Sequence, residues 1–169
     1  MRLFQNAGIY PAYLPRLREL TKGSTSFSAA LDVFLADRFG ACHHLQPIVD
    51  RREDAFFTNG DDPELQSRWA SENGLSTRGG LDEILLSQIE QHRTEVFYNL
   101  DPLRHGRNFL RRLPGCVKHS VAWRAAPSGE ADLGGYDVVV CNFPAIIRGY
   151  EAKGWRADYL SPGYDPVTD

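Results

Sequence analysis

Several features that would narrow the function of this chain are absent or rare in its sequence. It has three cysteines among 169 residues. Cys42, Cys116 and Cys141 are odd in number, far apart and set among apolar residues, so we expect buried reduced thiols rather than disulfides or a metal site. No apolar run approaches the roughly eighteen residues of a transmembrane helix, and the opening Met1–Phe4 is too short for the apolar region of a signal peptide. We therefore expect a cytoplasmic protein without a transmembrane segment.

A strong excess of charge of either sign is also absent. The formal net charge is −3, and 24% of the residues are charged against 42% that are hydrophobic. This balance is typical of one soluble domain with a substantial core, and it offers no basic field for a nucleic-acid partner. Repeats, heptads and low-complexity tracts are missing as well.

The sequence also lacks the usual cofactor and nucleophile motifs. The stretch 6–11, NAGIYP, follows the first apolar run but has neither the second nor the third glycine of a dinucleotide fingerprint, and no phosphate-binding lysine follows it. No G-x-S-x-G motif occurs, and no Ser or Cys lies beside a plausible base. We therefore predict no cofactor.

A strand–helix–strand unit is the clearest feature that is present, in the stretch 136–165. Asp137–Cys141 is a continuous run rich in valine, which is typical of a strand buried on both faces of a parallel sheet. Pro144 suits the first turn of the helix that follows, and Gly154 suits its end. A further strand is predicted at Ala157–Leu160.

The rest of the chain alternates between apolar patterns of the two periodicities. The predicted strands there are Arg2–Gln5, Leu45–Val49, Glu95–Tyr98 and Val117–Trp123, and the predicted helices lie around Leu14–Leu20, Phe27–Leu35, Pro63–Ser71, Leu81–Ile89 and Asn108–Leu113. The interval between Val49 and Pro63 is predicted to be a loop. This order predicts an α/β fold of three layers, an open and mostly parallel sheet with helices on both faces.

Ligands of such sheets bind beyond the carboxyl ends of the strands, where helix N-termini converge. The predicted substrate-binding residues are those that follow the strands, namely Asn6, Gly8, Tyr10, Asn99, Asp101, Trp123, Arg124 and Asn142. Amide and carboxylate groups bind hydroxyls, arginine binds carboxylate or phosphate, and tryptophan or tyrosine stacks on a sugar or base. Asn, Asp and Gly also favour turns and caps for purely structural reasons.

The sequence does not identify a catalytic residue. His43 and His44 are adjacent, so their side chains diverge, and no third ligand is suitably spaced; we predict no metal. His105 lies in a loop that could face a cleft. The carboxylates of Asp61 and Asp62 lie in a polar loop, where solvation is the default.

Four motifs near the end of the chain occur in a distinctive order. They are YDVVV at 136–140, Asn142 directly after that strand, KGW at 153–155 and YLSPGYDP at 159–166. Together they resemble the end of the N-terminal domain in GT-B-type glycosyltransferases, the spore-maturation-like and family 4-like group. The resemblance covers residues 95–166, and the first hundred residues only in pattern.

The resemblance implies a Rossmann-like, acceptor-side domain at 1–160 and a linker at 161–169 toward a C-terminal donor-binding domain that this chain does not contain. In that family the second domain holds most of the nucleotide-sugar donor, and the first holds a sugar or glycan acceptor. The chain would then be inactive on its own. The alternative is a non-catalytic flavodoxin-like or receiver-like domain that binds a ligand or a protein. A hydride-transfer fragment is a weaker alternative, since the glycine fingerprint is absent.

Overall fold

The computed structural model describes residues 1–165 and 167. Within them the strands are β1 (Leu3–Ala7), β2 (Ala55–Asn59), β3 (Val96–Asn99), β4 (His119–Trp123), β5 (Val138–Cys141) and β6 (Ala157–Tyr159). They form one sheet in the order β2-β1-β3-β4-β5-β6, and all neighbours pair in parallel. The helices are α1 (Leu14–Thr21), α2 (Phe27–Ala36), α3 (Gln46–Val49), α4 (Pro63–Glu72), α5 (Leu81–Gln91), α6 (Arg107–Leu110) and α7 (Pro144–Glu151). The predicted Rossmann-like α/β architecture is confirmed.

Successive residues of each strand face opposite sides of the sheet and supply two apolar layers. On one face Phe4, Phe97 and Val139 are fully buried against Leu85 and Ile89 of α5. Helices α6 and α7 complete this layer. This face is therefore covered by helices along most of its width.

The opposite face is covered in two different ways. Near β2, Phe57 packs against residues of α1, α2 and α3. Near β3, β4 and β5, the buried Tyr98, Trp123 and Val140 pack instead against Leu45 and Leu160, which lie outside the helices. Irregular chain thus covers this part of the sheet, close to the carboxyl ends of its strands.

The strand–helix–strand unit forms as predicted, with β5, α7 and β6 in succession. Gly154 adopts a left-handed conformation with φ of 78°, as expected for a glycine that ends a helix. The backbone N–H of Trp155 donates to the carbonyl of Tyr150 at 3.2 Å, which folds the chain back on the last turn.

Two predictions between residues 45 and 59 are wrong. Leu45–Val49 is not a strand; its last four residues form α3, since Pro47 suits a first helical turn and cannot donate to a sheet. Conversely, the predicted loop contains β2, in which Phe56 is half-buried on one face of the sheet and Phe57 is buried on the other. A charged run at 51–54 precedes this short strand and masks its apolar pattern.

Three further expectations concern the cysteine thiols, a transmembrane segment and the predicted linker. All three thiols are free, and Cys141 is buried, but Cys42 is exposed and Cys116 half-buried, contrary to expectation. None of the described helices is long and apolar enough to cross a bilayer. In the predicted linker 161–169, Pro166, Thr168 and Asp169 lie outside the described residues.

Candidate functional site

A cleft of about 280 Å³ opens at the carboxyl edge of the sheet, beyond β1, β3 and β4. Strands β1 and β3 are neighbours there, but the chain leaves β1 toward α1 and leaves β3 toward α6, so the two connections diverge. A gap of this kind is the usual ligand position in open α/β sheets. The walls include Gly8, Tyr10, His43, His44, Asp61, Asp101 and Trp123.

Two carboxylates meet at the backbone of Gly8. A Cβ atom at this glycine would lie 3.2 Å from Asp101 Oδ2 and 3.4 Å from Asp61 Oδ2. The N–H of Ile9 donates to both carboxylate oxygens of Asp61, at 3.1 and 3.0 Å. Gly8 therefore allows the acidic side chains from two different loops to approach the end of β1.

The environment of Asp61 makes it more basic than an ordinary aspartate. Burial raises the pKa of its carboxyl group, and the neighbouring Asp101 raises it further, while the hydrogen bond from Ile9 acts in the opposite direction. A carboxylate with a raised pKa is the type of group that accepts a proton from a bound hydroxyl.

A buried polar layer below the cleft positions both acidic loops. Asn6 is fully buried; its side-chain oxygen accepts the N–H of Gly60 at 2.9 Å, and its amide nitrogen donates to Asn99 Oδ1 at 2.9 Å. The same Asn99 oxygen accepts the N–H of Asp101 at 3.0 Å. One asparagine of β1 thereby connects the turn before Asp61 to the turn that carries Asp101.

This layer continues away from the cleft toward a buried histidine. The amide nitrogen of Asn99 donates to the hydroxyl of Tyr136 at 2.6 Å, and that hydroxyl donates to the carbonyl of His105 at 2.6 Å. Burial lowers the pKa of the His105 imidazole. Hydrogen bonds thus hold the side chains of Asn6, Asn99 and Tyr136 in place, so that this layer is a rigid support.

Aromatic residues form the opposite walls of the cleft. Tyr10 is 70% exposed at the rim and meets the Phe39 ring edge-on, with 5.9 Å between centroids. Trp123 is largely buried, and its ring lies 5.2 Å from that of His43. The cleft thus combines acceptors for hydroxyl groups with rings on which the apolar face of a sugar can stack.

The two adjacent histidines are held in place by a buried glutamine of β1. Gln5 donates to the carbonyl of His43 at 2.9 Å and accepts the N–H of Leu45 at 3.0 Å. Burial lowers the pKa of His43, and it lowers that of His44 to about 4 with a further contribution from Arg38. Both imidazoles are therefore neutral at physiological pH.

The predicted site residues divide into three groups. Gly8, Tyr10, Asp101 and Trp123 line the cleft together. Asn6 and Asn99 lie beneath it, fully buried in the polar layer. Arg124 and Asn142 do not line it but follow the next strands along the same edge.

Three polar residues of the cleft, Asp61, His43 and His44, were not predicted as site residues from the sequence. Asp61 follows β2, so recognising that strand would have selected it by the same rule that selected Asp101. The histidines reach the cleft through a loop between α2 and α3, which carries no periodic pattern.

Among the described residues, no group of three or more His, Cys, Asp or Glu side chains suits a metal ion. In comparisons with known proteins, no family model, no curated protein and no solved structure matches the chain.

Proposed function

We propose that this chain is the acceptor-binding, N-terminal-type half of a GT-B glycosyltransferase, which transfers a sugar from a nucleotide-sugar donor to an acceptor hydroxyl. The observation that carries this proposal is the cleft at the carboxyl edge of the sheet, where Asp61 and Asp101 face the aromatic walls formed by Tyr10 and Trp123. The motifs at 136–166 add the resemblance to that family.

In the proposed reaction the acceptor hydroxyl lies against the carboxylate pair. Its oxygen forms a bond to the anomeric carbon of the donor sugar, the bond from that carbon to the diphosphate breaks, and the nucleoside diphosphate leaves with the electron pair. Asp61, whose pKa is raised by burial, accepts the hydroxyl proton. The donor would be held by a second domain, so this chain is expected to bind acceptors without transferring sugar.

The first test is direct binding of glycosides to the chain. A panel of methyl glycosides is titrated by saturation-transfer NMR, with cyclohexane-based compounds of similar size but without hydroxyls as controls. We expect millimolar or tighter binding of at least one glycoside and none of the controls. Absence of any glycoside binding would contradict the proposal.

Matched variants locate the bound glycoside. Tyr10→Ala removes an exposed ring at the rim and is expected to weaken binding about three- to tenfold, as for the loss of one stacking contact. Tyr159→Ala is the control, because Tyr159 is 59% exposed but lies on β6, away from the cleft. Equal effects of the two variants would place the glycoside elsewhere.

A receiver-like or flavodoxin-like domain is the second candidate, favoured by the strand order. The order β2-β1-β3-β4-β5 is that of the flavodoxin-like class, which includes phosphoacceptor domains. In this case Asp101 would be the phosphoacceptor. Treatment with acetyl phosphate and Mg²⁺, followed by intact-mass measurement, would show a mass gain that is absent in Asp101→Asn; an unchanged mass rules out the receiver-like form of this candidate.

A further inference from the structure

A second, larger cavity adjoins the cleft on the face of the sheet where irregular chain and the short helix α3 lie near β3 and β4. Its volume is about 480 Å³, within the range of small-molecule sites. Tyr98 and Trp123 form its floor, and the chain segments around Cys42 and from Leu160 to Asp165 form its sides. His43, His44 and Trp123 line both spaces, so these three side chains form the partition between them.

The cavity contains an unpaired polar group in an otherwise uncharged setting. Tyr98 is 4% exposed, and its hydroxyl forms no hydrogen bond with any residue of the described ranges 1–165 and 167. Burial alone raises the pKa of this phenol. Because Tyr98 lines the cavity and its hydroxyl is paired with none of the described residues, this hydroxyl can form a hydrogen bond with a polar group of a ligand.

The remaining walls determine the ligand class. Burial lowers the pKa values of His43 and His44, so both imidazoles are neutral. The charges of Arg38 and Asp165 neutralise each other in an ion pair whose Nε to Oδ2 distance is 2.8 Å. Leu45 and Leu160 add apolar surface. A flat, uncharged and mainly apolar group with one polar atom fits this lining, in contrast to the acidic cleft next to it.

The chain after β6 forms one side of this cavity. The N–H of Gly163 donates to the carbonyl of Cys42 at 2.6 Å, and Asp165 pairs with Arg38 at the end of α2. These contacts hold the segment 160–165 against the loop that carries the two histidines. A hydrogen bond and an ion pair therefore fix the position of the cavity's sides, while the sheet forms its floor.

We infer that the cavity binds a flat apolar group attached to the hydroxyl-bearing part of the ligand in the cleft, so that the acceptor is an amphipathic compound such as an aryl glycoside or a phenolic aglycone. The inference rests on the proposed function for the hydroxyl-bearing part. The Tyr98 hydroxyl hydrogen bonds a polar atom of the flat group, and Trp123 lies between the two parts of the ligand.

Three probes test the two spaces separately: methylumbelliferone, methyl β-glucoside and methylumbelliferyl β-glucoside. Dissociation constants are measured by calorimetry, and the indole N–H of Trp123 is followed by NMR. We expect the aryl glucoside to bind at least about tenfold more tightly than the methyl glucoside, as for burial of one aromatic group. Methylumbelliferone alone is expected to bind and to shift the Trp123 resonance.

Variants then assign each part of the ligand. Tyr98→Phe is expected to weaken the binding of methylumbelliferone and of the aryl glucoside about three- to tenfold, the usual effect of one lost hydrogen bond, and to leave the binding of the methyl glucoside unchanged. Asp101→Asn is expected to weaken the binding of both glucosides but not the binding of methylumbelliferone. Tyr159→Phe is the matched control for the loss of a phenol hydroxyl, because Tyr159 lines neither space.

The outcomes separate this inference from the proposed function. If methylumbelliferone does not bind, or binds Tyr98→Phe as tightly as the unaltered chain, the apolar site is overturned whatever the glucosides do. If methylumbelliferone behaves as expected but neither glucoside responds to Asp101→Asn, the apolar site is supported and the proposed function fails. Unfolding curves of each variant confirm that its fold is intact.

Discussion

At the scale of single residues, Asp61 and Asp132 are two aspartates whose surroundings act in opposite directions. Burial raises the pKa of Asp61, whereas Arg107 and the N–H of Gly134 hold the pKa of the exposed Asp132 below its usual range. The two carboxylates therefore make opposite contributions to the pH dependence of stability.

Replacement of Asp61 by asparagine should stabilise the protein at neutral pH. Because the folded-state pKa of Asp61 is raised, its stabilising contribution is complete below the unfolded pKa and is lost as pH rises through the folded pKa. The asparagine oxygen can still accept the N–H of Ile9. We expect a higher free energy of unfolding for Asp61→Asn at about pH 7, and a difference that disappears toward about pH 3.

Urea denaturation at both pH values measures this effect, with Asp132→Asn as control. Because the pKa of Asp132 is lowered, its stabilising contribution is present above the unfolded pKa and is lost as pH falls through the folded pKa. This pH dependence is the opposite of that of Asp61. Asp132→Asn should therefore destabilise at neutral pH and become neutral in acid. The same sign for both variants would contradict the assigned environment of Asp61.

At the scale of elements, the turn between β2 and α4 depends on a close approach to β1. A Cβ atom at Gly60 would lie 2.6 Å from Asn6 Oδ1 and 3.2 Å from a methyl group of Leu85. Asn6 is fixed by its other hydrogen bond to Asn99, so it has little freedom to move aside.

Gly60→Ala is therefore expected to destabilise the protein by about 1 to 3 kcal/mol, the usual cost of inserting a methyl group into a packed site. Gly115→Ala is the matched control, because a Cβ atom there would meet nothing within 4 Å. Thermal and urea unfolding of both variants give the comparison. A neutral Gly60→Ala would show that the contact between Gly60 and Asn6 does not hold the acidic loops in place.

Arg18 of α1 forms ion pairs with two residues at the start of α4, the buried Asp62 and the exposed Glu64. Arg18 donates through both terminal nitrogens to Asp62, at 3.0 and 2.6 Å, and Asp62 is 3% exposed. Arg18→Met keeps the apolar stem but leaves this buried carboxylate without its partner. We expect a loss of about 1.5 to 3 kcal/mol in the free energy of unfolding.

Arg107→Met is the control, since Arg107 pairs with Asp132 and both side chains of that pair are 50% exposed. Solvent screens a pair of this kind, so a clearly smaller loss is expected. If both variants lose the same stability, the burial of Asp62 does not strengthen its pairing with Arg18.

The same elements explain how much of the molecule its sequence predicts. The unit from β5 to β6 follows almost residue by residue, because a valine run, Pro144 and Gly154 each act through local backbone preferences. Strand β2 is not predicted in this way. Its two adjacent phenylalanines face opposite sides of the sheet, so they give neither an alternating apolar pattern nor a long apolar run. Asp61 was not predicted as a site residue because it follows β2, whereas Asp101 was predicted because it follows β3.

The position of the loop with His43 and His44 could not be predicted from the sequence for a different reason. Its position is determined by Gln5, a polar residue of β1 whose hydrogen bonds join residues about forty positions apart in sequence. No local propensity encodes such a contact. The aromatic and acidic strand ends of the cleft were therefore predictable, and the partition toward the second cavity was not.

At the scale of the whole molecule, stability should fall from the centre of the sheet toward the chain after β6. Strands β1, β3 and β4 each have neighbours on both sides, and Phe97 and Ala122 are fully buried. The segment 160–165 lies beyond the edge strand β6, and its contacts include the hydrogen bonds from Leu160 to Cys141 and from Gly163 to Cys42 and the ion pair of Asp165 with Arg38. Segments outside the sheet and its helices open locally, at a free energy well below that of global unfolding.

Native-state hydrogen exchange of Arg38→Met tests this arrangement. Loss of the ion pair with Asp165 should accelerate exchange of the Gly163 N–H, which donates to Cys42, while the N–H groups of Phe97 and Ala122 exchange as before. Arg51→Met is the matched control, because Arg51 also has a positive φ and also pairs with an aspartate, Asp32, elsewhere. Equal acceleration at Gly163 and Phe97 would mean that the segment opens only when the whole sheet unfolds, which would contradict the proposed gradient of stability.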